Sequence, residues 1–326
     1  GARLPTDIPG DAITDGQPDT AQWNLDQIKA PSVWEQGYRG KEEVVAVVDS
    51  GVSLRHPDIV PNLWQNPGEI PDNDIDDDGN GFVDDIRGWD FIQADPRPRD
   101  ANYHGTHVAG IVAAPQNDIG VTGVAPNAAI MPVRVLDQDG SGTAKGVADG
   151  IRYAVNNGAD VINLSLGAPP GGKPNRSLRR ALRYAYRNGV VVAIAAGNER
   201  DTLGTVQPGE PAFWAATRNL AIAVGAVNRH NRVAYFSNPT GNRKVNPFVV
   251  APGVEVDSLA ALWLRNAFGP NNVDSIEPLA LSGTSMATPH VAGVAALMLS
   301  ANPTLTVDQV IQILTSTATS DNLKGV

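Results

Sequence analysis

Five short apolar runs, at residues 44–48, 130–136, 161–166, 190–196 and 220–227, set the rhythm of this chain. Each is too continuous to be a half-exposed strand, and such runs are expected of strands buried on both faces, as in a parallel sheet. Between them, residues 146–155 and 178–187 carry apolar positions at helical spacing. Strands alternating with helices predict an α/β fold: three layers, with a mostly parallel central sheet flanked by helices. Ligands of such folds collect beyond the carboxyl ends of the strands.

Two longer stretches break the alternation. Residues 61–103 are dominated by Asp, Gly and Pro, and residues 240–281 have mixed character. Residues 1–20 are rich in Pro, Gly and Asp without any period, which reads as an extended arm held by the rest of the chain. The division expected is an arm over 1–26 and one large domain over 27–326, with an insertion at about 61–103. At 326 residues and 42% hydrophobic content, a single core suffices for that domain.

Composition removes several functions. The chain has no cysteine, which excludes disulfides, thiolate metal sites and a cysteine nucleophile. A formal charge of −10 and a pI near 4.9 argue against nucleic acid as a general partner, because such binding needs a cationic surface. No apolar run approaches the roughly 18 residues of a membrane span. Residues 1–17 lack the basic and apolar regions of a signal peptide, so a secreted protein would be a processed form.

Chemistry gathers in three motifs. Asp49 closes an apolar run in Val-Val-Asp-Ser-Gly-Val, where a carboxylate stays ionised only with hydrogen-bond donors or a cationic partner. His104 opens His-Gly-Thr-His-Val-Ala-Gly, expected at the start of a helix packed into the core, with its imidazole facing a cleft. Ser285, in Ser-Gly-Thr-Ser-Met-Ala-Thr-Pro-His, precedes the apolar residues 291–299. Its hydroxyl is expected at a helix N-terminus, where developing negative charge is favoured. Pro289 is expected in the first turn, where amides have no intrahelical acceptor. Taken singly, these residues also read as a strand-end carboxylate, a core histidine and a helix cap.

In the order Asp, His, Ser, the motifs resemble those of the subtilisin-type serine proteases, the subtilase family, over residues 27–316. The resemblance implies a serine endopeptidase in which Ser285 attacks the peptide carbonyl, His104 carries the proton and Asp49 orients the imidazole. Asn198, in Ala-Ala-Gly-Asn-Glu, aligns with the family's oxyanion-hole asparagine and would act with the Ser285 backbone N–H. The resemblance also implies an extended substrate paired with Gly140, Ser141 and Gly142 and with Ser165, Leu166 and Gly167. Ala195, Ala196 and Gly197 would line a pocket with room for a large apolar side chain before the cut. Ala144 stands where many relatives carry an aromatic residue, which opens the outer subsite. The family's pocket proline aligns with Pro211, so the Glu210–Pro211 bond is expected to be cis. Family resemblance further implies protein or peptide substrates, an inhibitory propeptide, secretion and action as a monomer. Two rival readings stay open: a catalytically silent subtilase fold used for binding, and an α/β-hydrolase esterase. The esterase lacks support because Met286 and Ala287 follow Ser285, which breaks the Gly-x-Ser-x-Gly elbow.

Residues 72–85 hold seven Asp in fourteen positions, and such carboxylates repel unless a cation or solvent screens them. Asp74, Asp76, Asp78, Asn80 and Asp85 fall at calcium-loop spacing around Gly79, with Asp in place of the usual final Glu. A calcium loop inserted in the domain is expected. A second calcium site follows from the resemblance alone: Asp58, Asn117, the carbonyls of Pro115, Ile119 and Val121, and Asp19. His107 and His290 read as packed structural histidines. Arg176, Arg179, Arg180, Arg183 and Arg187 form a basic stripe at helical spacing, read as a solvated face or as a dock for an acidic propeptide.

Overall fold

A computed structural model describes residues 2–3, 22–172, 175–241, 245–266, 278–320 and 323. The five apolar runs become strands β1 (Val44–Asp49), β3 (Ala129–Arg134), β4 (Val161–Leu164), β5 (Val191–Ala195) and β6 (Ile222–Val227). Two further strands, β2 (Trp89–Asp90) and β7 (Phe248–Pro252), come from the stretches read as interruptions. Together they form one seven-stranded parallel sheet in the order β2-β3-β1-β4-β5-β6-β7.

Alternate residues of each central strand enter opposite cores, which is why these runs have no solvent-exposed face. Val45, Val47, Val161, Val191 and Val224 share one core with α1 (His104–Ala113) and α4 (Thr284–Ala301). Ala46, Val48, Ile162, Leu164, Val192 and Ile194 face α2 (Ala144–Asn156) and α3 (Arg176–Arg187) on the other side. Helix α4 is apolar on most of its circumference because it runs through the interior against the sheet and α1. A final helix, α5 (Val307–Thr317), opens with a capping box between Thr306 and Gln309.

The connection from β1 to β3 passes through α1 on one face, and that from β3 to β4 passes through α2 on the other. The carboxyl end of β1 therefore lies at a topological switch point, where a crevice opens in such sheets. Asp49 is the residue that stands there.

Three expectations meet specific outcomes. The Glu210–Pro211 bond is cis. Pro289 lies one turn deeper in α4 than expected, inside the helix. Its missing N–H would have met the Ser285 carbonyl, and that carbonyl instead accepts the Ser165 hydroxyl at 2.8 Å. The basic stripe divides: Arg179 and Arg183 lie over the Trp214 ring, 5.8 and 5.3 Å from its centroid, where Arg218 joins them at 4.7 Å. Among the described residues, Arg176, Arg180 and Arg187 make no such contact, and they are exposed, as is Arg183.

Candidate active site

Asp49 is fully buried, and its Oδ1 meets His104 Nδ1 at 2.8 Å while accepting the Ser50 N–H at 2.7 Å. Two glycines make this approach possible. A Cβ on Gly105 would lie 2.1 Å from the Gly51 carbonyl oxygen, and one on Gly51 would lie 2.7 Å from the Arg99 carbonyl. The strand end and the helix start thus touch backbone to backbone. With Nδ1 engaged by the carboxylate, the imidazole presents Nε2 as its second nitrogen.

Ser285 occupies the first turn of α4 and is 1% exposed. Its hydroxyl donates to the Ser165 carbonyl at 3.3 Å. Helices α1 and α4 pack together, which brings their N-terminal turns, and so His104 and Ser285, to the same end of the sheet.

Asn198 follows β5 and is nearly buried. Its Oδ1 accepts both the Thr284 N–H and the Thr284 hydroxyl at 2.9 Å, which fixes the amide so that Nδ2 faces away from them. A Cβ placed on Gly283 would lie 3.2 Å from Asn198 Nδ2 and 3.6 Å from the Ser285 N. Gly283 has an extended backbone that any residue adopts, at φ 163°, so its lack of a side chain serves space and not conformation. Two N–H donors border the gap it leaves.

Ser141–Gly142 forms a short strand that pairs antiparallel with the chain's own Ala2–Arg3, in the register Ala2 to Gly142 and Arg3 to Ser141. Gly140 precedes it with φ 68°. Ser165, Leu166 and Gly167 continue from β4, and the next residue, Ala168, bridges to Glu210 beside the cis bond. Ala195 ends β5, followed by the buried Ala196 and by Gly197 with φ 100°. A Cβ on Gly197 would meet Asn238 Nδ2 at 2.4 Å, so this turn admits no side chain.

The acidic loop assembles differently from its spacing. Asp78 and Asp85 gather with Glu69, each offering a carboxylate oxygen within 4.8 Å of the others. Asp76 instead accepts the N–H groups of Asn80 and Gly81, and the Asn80 side-chain amide donates to Asp78 and Asp85. Asp74 lies outside the group, its N–H bonded to Asp84. Glu69 escaped the spacing argument because it precedes the repeat, and it enters by accepting the N–H groups of Asp77, Asp78 and Asp84. Burial raises the Asp85 carboxyl above its ordinary range, against hydrogen bonds from Tyr153, Asn66 and Asn80.

At the other expected site, Asp58 is fully buried, with Oδ2 accepting the Val121 N–H at 2.9 Å. Its Oδ1 has no hydrogen-bond partner among the described residues. Burial pushes this carboxyl up to about 6, opposed by the bond from Val121. Asn117 Oδ1 also holds the Ile119 N–H at 3.2 Å. Asp19 lies outside the described residues. Gln22 clamps the loop exit from both sides, donating to the Thr122 carbonyl and accepting the Thr122 N–H. It sits in the arm expected over 1–26, where nothing in the sequence singled it out.

Two further buried histidines, His107 and His290, hold structure. His107 Nε2 contacts the carbonyls of Val256 and Leu279, and burial lowers its pKa to about 3. His290 bridges Asn24 and the Met286 carbonyl, and burial lowers it to about 4. Both stay neutral at ordinary pH.

The carboxyl end of β1, with Asp49 against His104 and with Ser285 at the same end of the sheet, has the furnishing of a serine hydrolase. Comparison takes the assignment further: residues 40–326 match the profile of the Subtilase family, and the chain belongs to that family. It is 41% identical over 299 residues to subtilisin of Bacillus pumilus, covering 91% of each chain. It is 39% identical over 280 residues to thermitase of Thermoactinomyces vulgaris, covering 86% of this chain and 82% of that one. Among solved structures, a cold-adapted subtilisin-like serine proteinase matches with a TM-score of 0.66 and 31% identity, over 88% of this chain and 86% of the other. The protein is a subtilisin-like serine endopeptidase.

Proposed function

We propose that Asp49, His104 and Ser285 form the triad that cuts peptide bonds through an acyl-enzyme. The observation that carries this reading is the buried 2.8 Å contact between Asp49 and His104 Nδ1 at the switch point of the sheet. Ser285 Oγ attacks the carbonyl carbon while His104 Nε2 takes its proton, then returns it to the leaving amine. Water repeats the sequence on the acyl-enzyme. Asp49 holds the tautomer and balances the imidazolium. The Ser285 hydroxyl, bonded to Ser165 at 3.3 Å, turns to His104 when substrate enters. Catalytic hydrogen bonds of this kind tighten in the complex.

A fluorophosphonate probe read by intact mass tests the reading. One adduct is expected on the calcium-loaded protein, and none on Ser285→Ala. A folded, calcium-loaded sample that takes no label would overturn it in favour of a silent binding scaffold.

The oxyanion is assigned to Asn198 Nδ2 and the Ser285 N–H, which border the gap at Gly283. Asn198→Ala is expected to lower kcat by about 10²–10³ with little change in KM, a magnitude measured on subtilisin and carried over to this relative. Initial rates on a peptide anilide check it.

Substrate would lie as an added strand between Gly140–Ser141–Gly142 and Ser165–Leu166–Gly167. The pairing of Ala2–Arg3 with Ser141–Gly142 supports this, since a segment of the chain itself already uses that edge. Ala195, Ala196 and Gly197 would form a pocket for a large apolar side chain.

Calcium is the structural ion we assign to both loops. Asp58 fits: a buried carboxylate oxygen lacking a donor is a ligand position for a hard cation. Asn117 and the carbonyls of Pro115, Ile119 and Val121 would complete it. The second ion would bind Glu69, Asp78 and Asp85. At a thousand times Kd, bound calcium adds about 4 kcal/mol to stability. For a chain of 326 residues, whose unfolding entropy is about 0.7 kcal/mol/K, loss of one such ion should therefore lower Tm by roughly 6 °C. Scanning calorimetry at pH 8, with and without EGTA, checks this, and Asp58→Asn should remove much of the difference. Action outside the cell as a monomer, after release from an inhibitory propeptide, fits this reading. Among the described residues, no helix is long and apolar enough to cross a membrane.

A further inference from the structure

One buried carboxylate near the triad belongs to no step above. Asp100 is 6% exposed and forms no ion pair among the described residues. Its Oδ1 accepts the Ser50 hydroxyl and the N–H groups of Asn102 and Tyr103, each at 2.9 Å. Its Oδ2 accepts the Thr106 N–H at 2.9 Å and the Thr106 hydroxyl at 2.5 Å. The donors come from both sides of the Asp49–His104 contact. Ser50 follows Asp49, and its hydroxyl also accepts the Gly105 N–H at 2.9 Å. Tyr103 and Thr106 flank His104.

The need for such a clamp is visible in the backbone. Tyr103, the residue ahead of α1, has φ 88° and caps the helix with no side chain of its own. A non-glycine residue in that region is strained, and it persists only where neighbours hold it. Asp100 supplies the missing cap from three residues upstream, and its charge suits a helix N-terminus. Burial raises its carboxyl above the ordinary range, and its hydrogen bonds oppose that rise.

We propose that Asp100 is a positioning residue for the cleavage reaction, fixing the start of α1 against the end of β1 so that His104 and Asp49 meet in register. It touches no reacting atom and acts through Ser50, Tyr103 and Thr106. The proposal rests on the triad reading, and it goes beyond that reading in naming what sets the triad's geometry. A misplacement of about 1 Å at a catalytic group costs on the order of 10²-fold in rate.

The test normalises activity to sites titrated by a fluorophosphonate burst, so that only molecules with a competent Ser285 are counted. Asp100→Asn keeps the shape but turns donors onto donors. Its kcat per titrated site is expected to fall about 10–100-fold with KM within about threefold. Ser50→Ala, which removes one arm of the clamp and leaves the rest, covers the case in which Asp100→Asn fails to fold. It should lower kcat by about 3–10-fold. Thr106→Ser keeps the hydroxyl and should recover most of what Thr106→Val loses. The proton between His104 Nδ1 and Asp49 should broaden in the NMR spectrum of folded Asp100→Asn. Unchanged kcat per titrated site in folded Asp100→Asn or Ser50→Ala would overturn the proposal. Failure of the wild type to titrate would overturn the triad reading itself.

Discussion

Ser285→Ala should abolish turnover while leaving the fold in place. The expected loss in kcat is about 2 × 10⁶, a magnitude measured on subtilisin and carried over to this relative. KM should hold, because neither Gly140–Ser141–Gly142 nor Ser165–Leu166–Gly167 depends on the lost hydroxyl. The structural cost is small for definite reasons. Among the described residues, the only hydrogen bond that the Ser285 hydroxyl donates is the 3.3 Å contact to Ser165, while the stronger bond from the Ser165 hydroxyl goes to the Ser285 carbonyl and survives. Alanine also suits a first helical turn. His104→Ala in the Ser285→Ala background should cost almost nothing more, since the two act as one unit. The backbone N–H of residue 285 and Asn198 remain, so a residue of catalysis about 10³–10⁴ above water should persist. Single-turnover kinetics with a sensitive anilide would measure it. Activity in Ser285→Ala within about 10²-fold of wild type would show that another group attacks.

Much of this architecture was legible because the chemistry and the core share the same strands. Continuous apolar runs mark β1, β3, β4, β5 and β6, since each is covered by helices on both faces. The runs fail at the sheet's edges. β2 has only two residues, and β7 is an edge strand, half-buried over Phe248, Val249 and Val250 and ending at Pro252, so neither carries a distinguishing pattern. Motif order brought Asp49, His104, Ser285 and Asn198 into view together. What spacing could not supply was the company they keep. Asp100 lies in an Asp-rich stretch where one more carboxylate attracts no notice, and its role depends on five donors brought together by the close contact of Gly51 with Gly105. Glu69 is hidden for a related reason, because linear spacing describes a loop only when the loop supplies all its own ligands.

Asp49→Asn should cost about 10⁴ in kcat, the loss known for the equivalent change in the chymotrypsin-type triad. The local geometry gives the reason. Oδ1 of Asp49 accepts from both Ser50 N and His104 Nδ1, while Oδ2 is buried with no hydrogen-bond partner among the described residues. An asparagine that keeps its oxygen toward Ser50 and His104 preserves the tautomer, but it strands an NH2 group without an acceptor and leaves the imidazolium uncompensated. One that flips sets NH2 against the Ser50 N–H and selects the tautomer that cannot take the Ser285 proton. Either outcome slows acylation, so kcat and kcat/KM should fall together, with binding of a transition-state aldehyde weakened in parallel. Asp100→Asn, which acts only by aiming this pair, should then lose most of its effect in an Asp49→Asn background. A double-mutant cycle on kcat measures that coupling. Full additivity would mean that Asp100 affects turnover by a route that bypasses the Asp49–His104 contact.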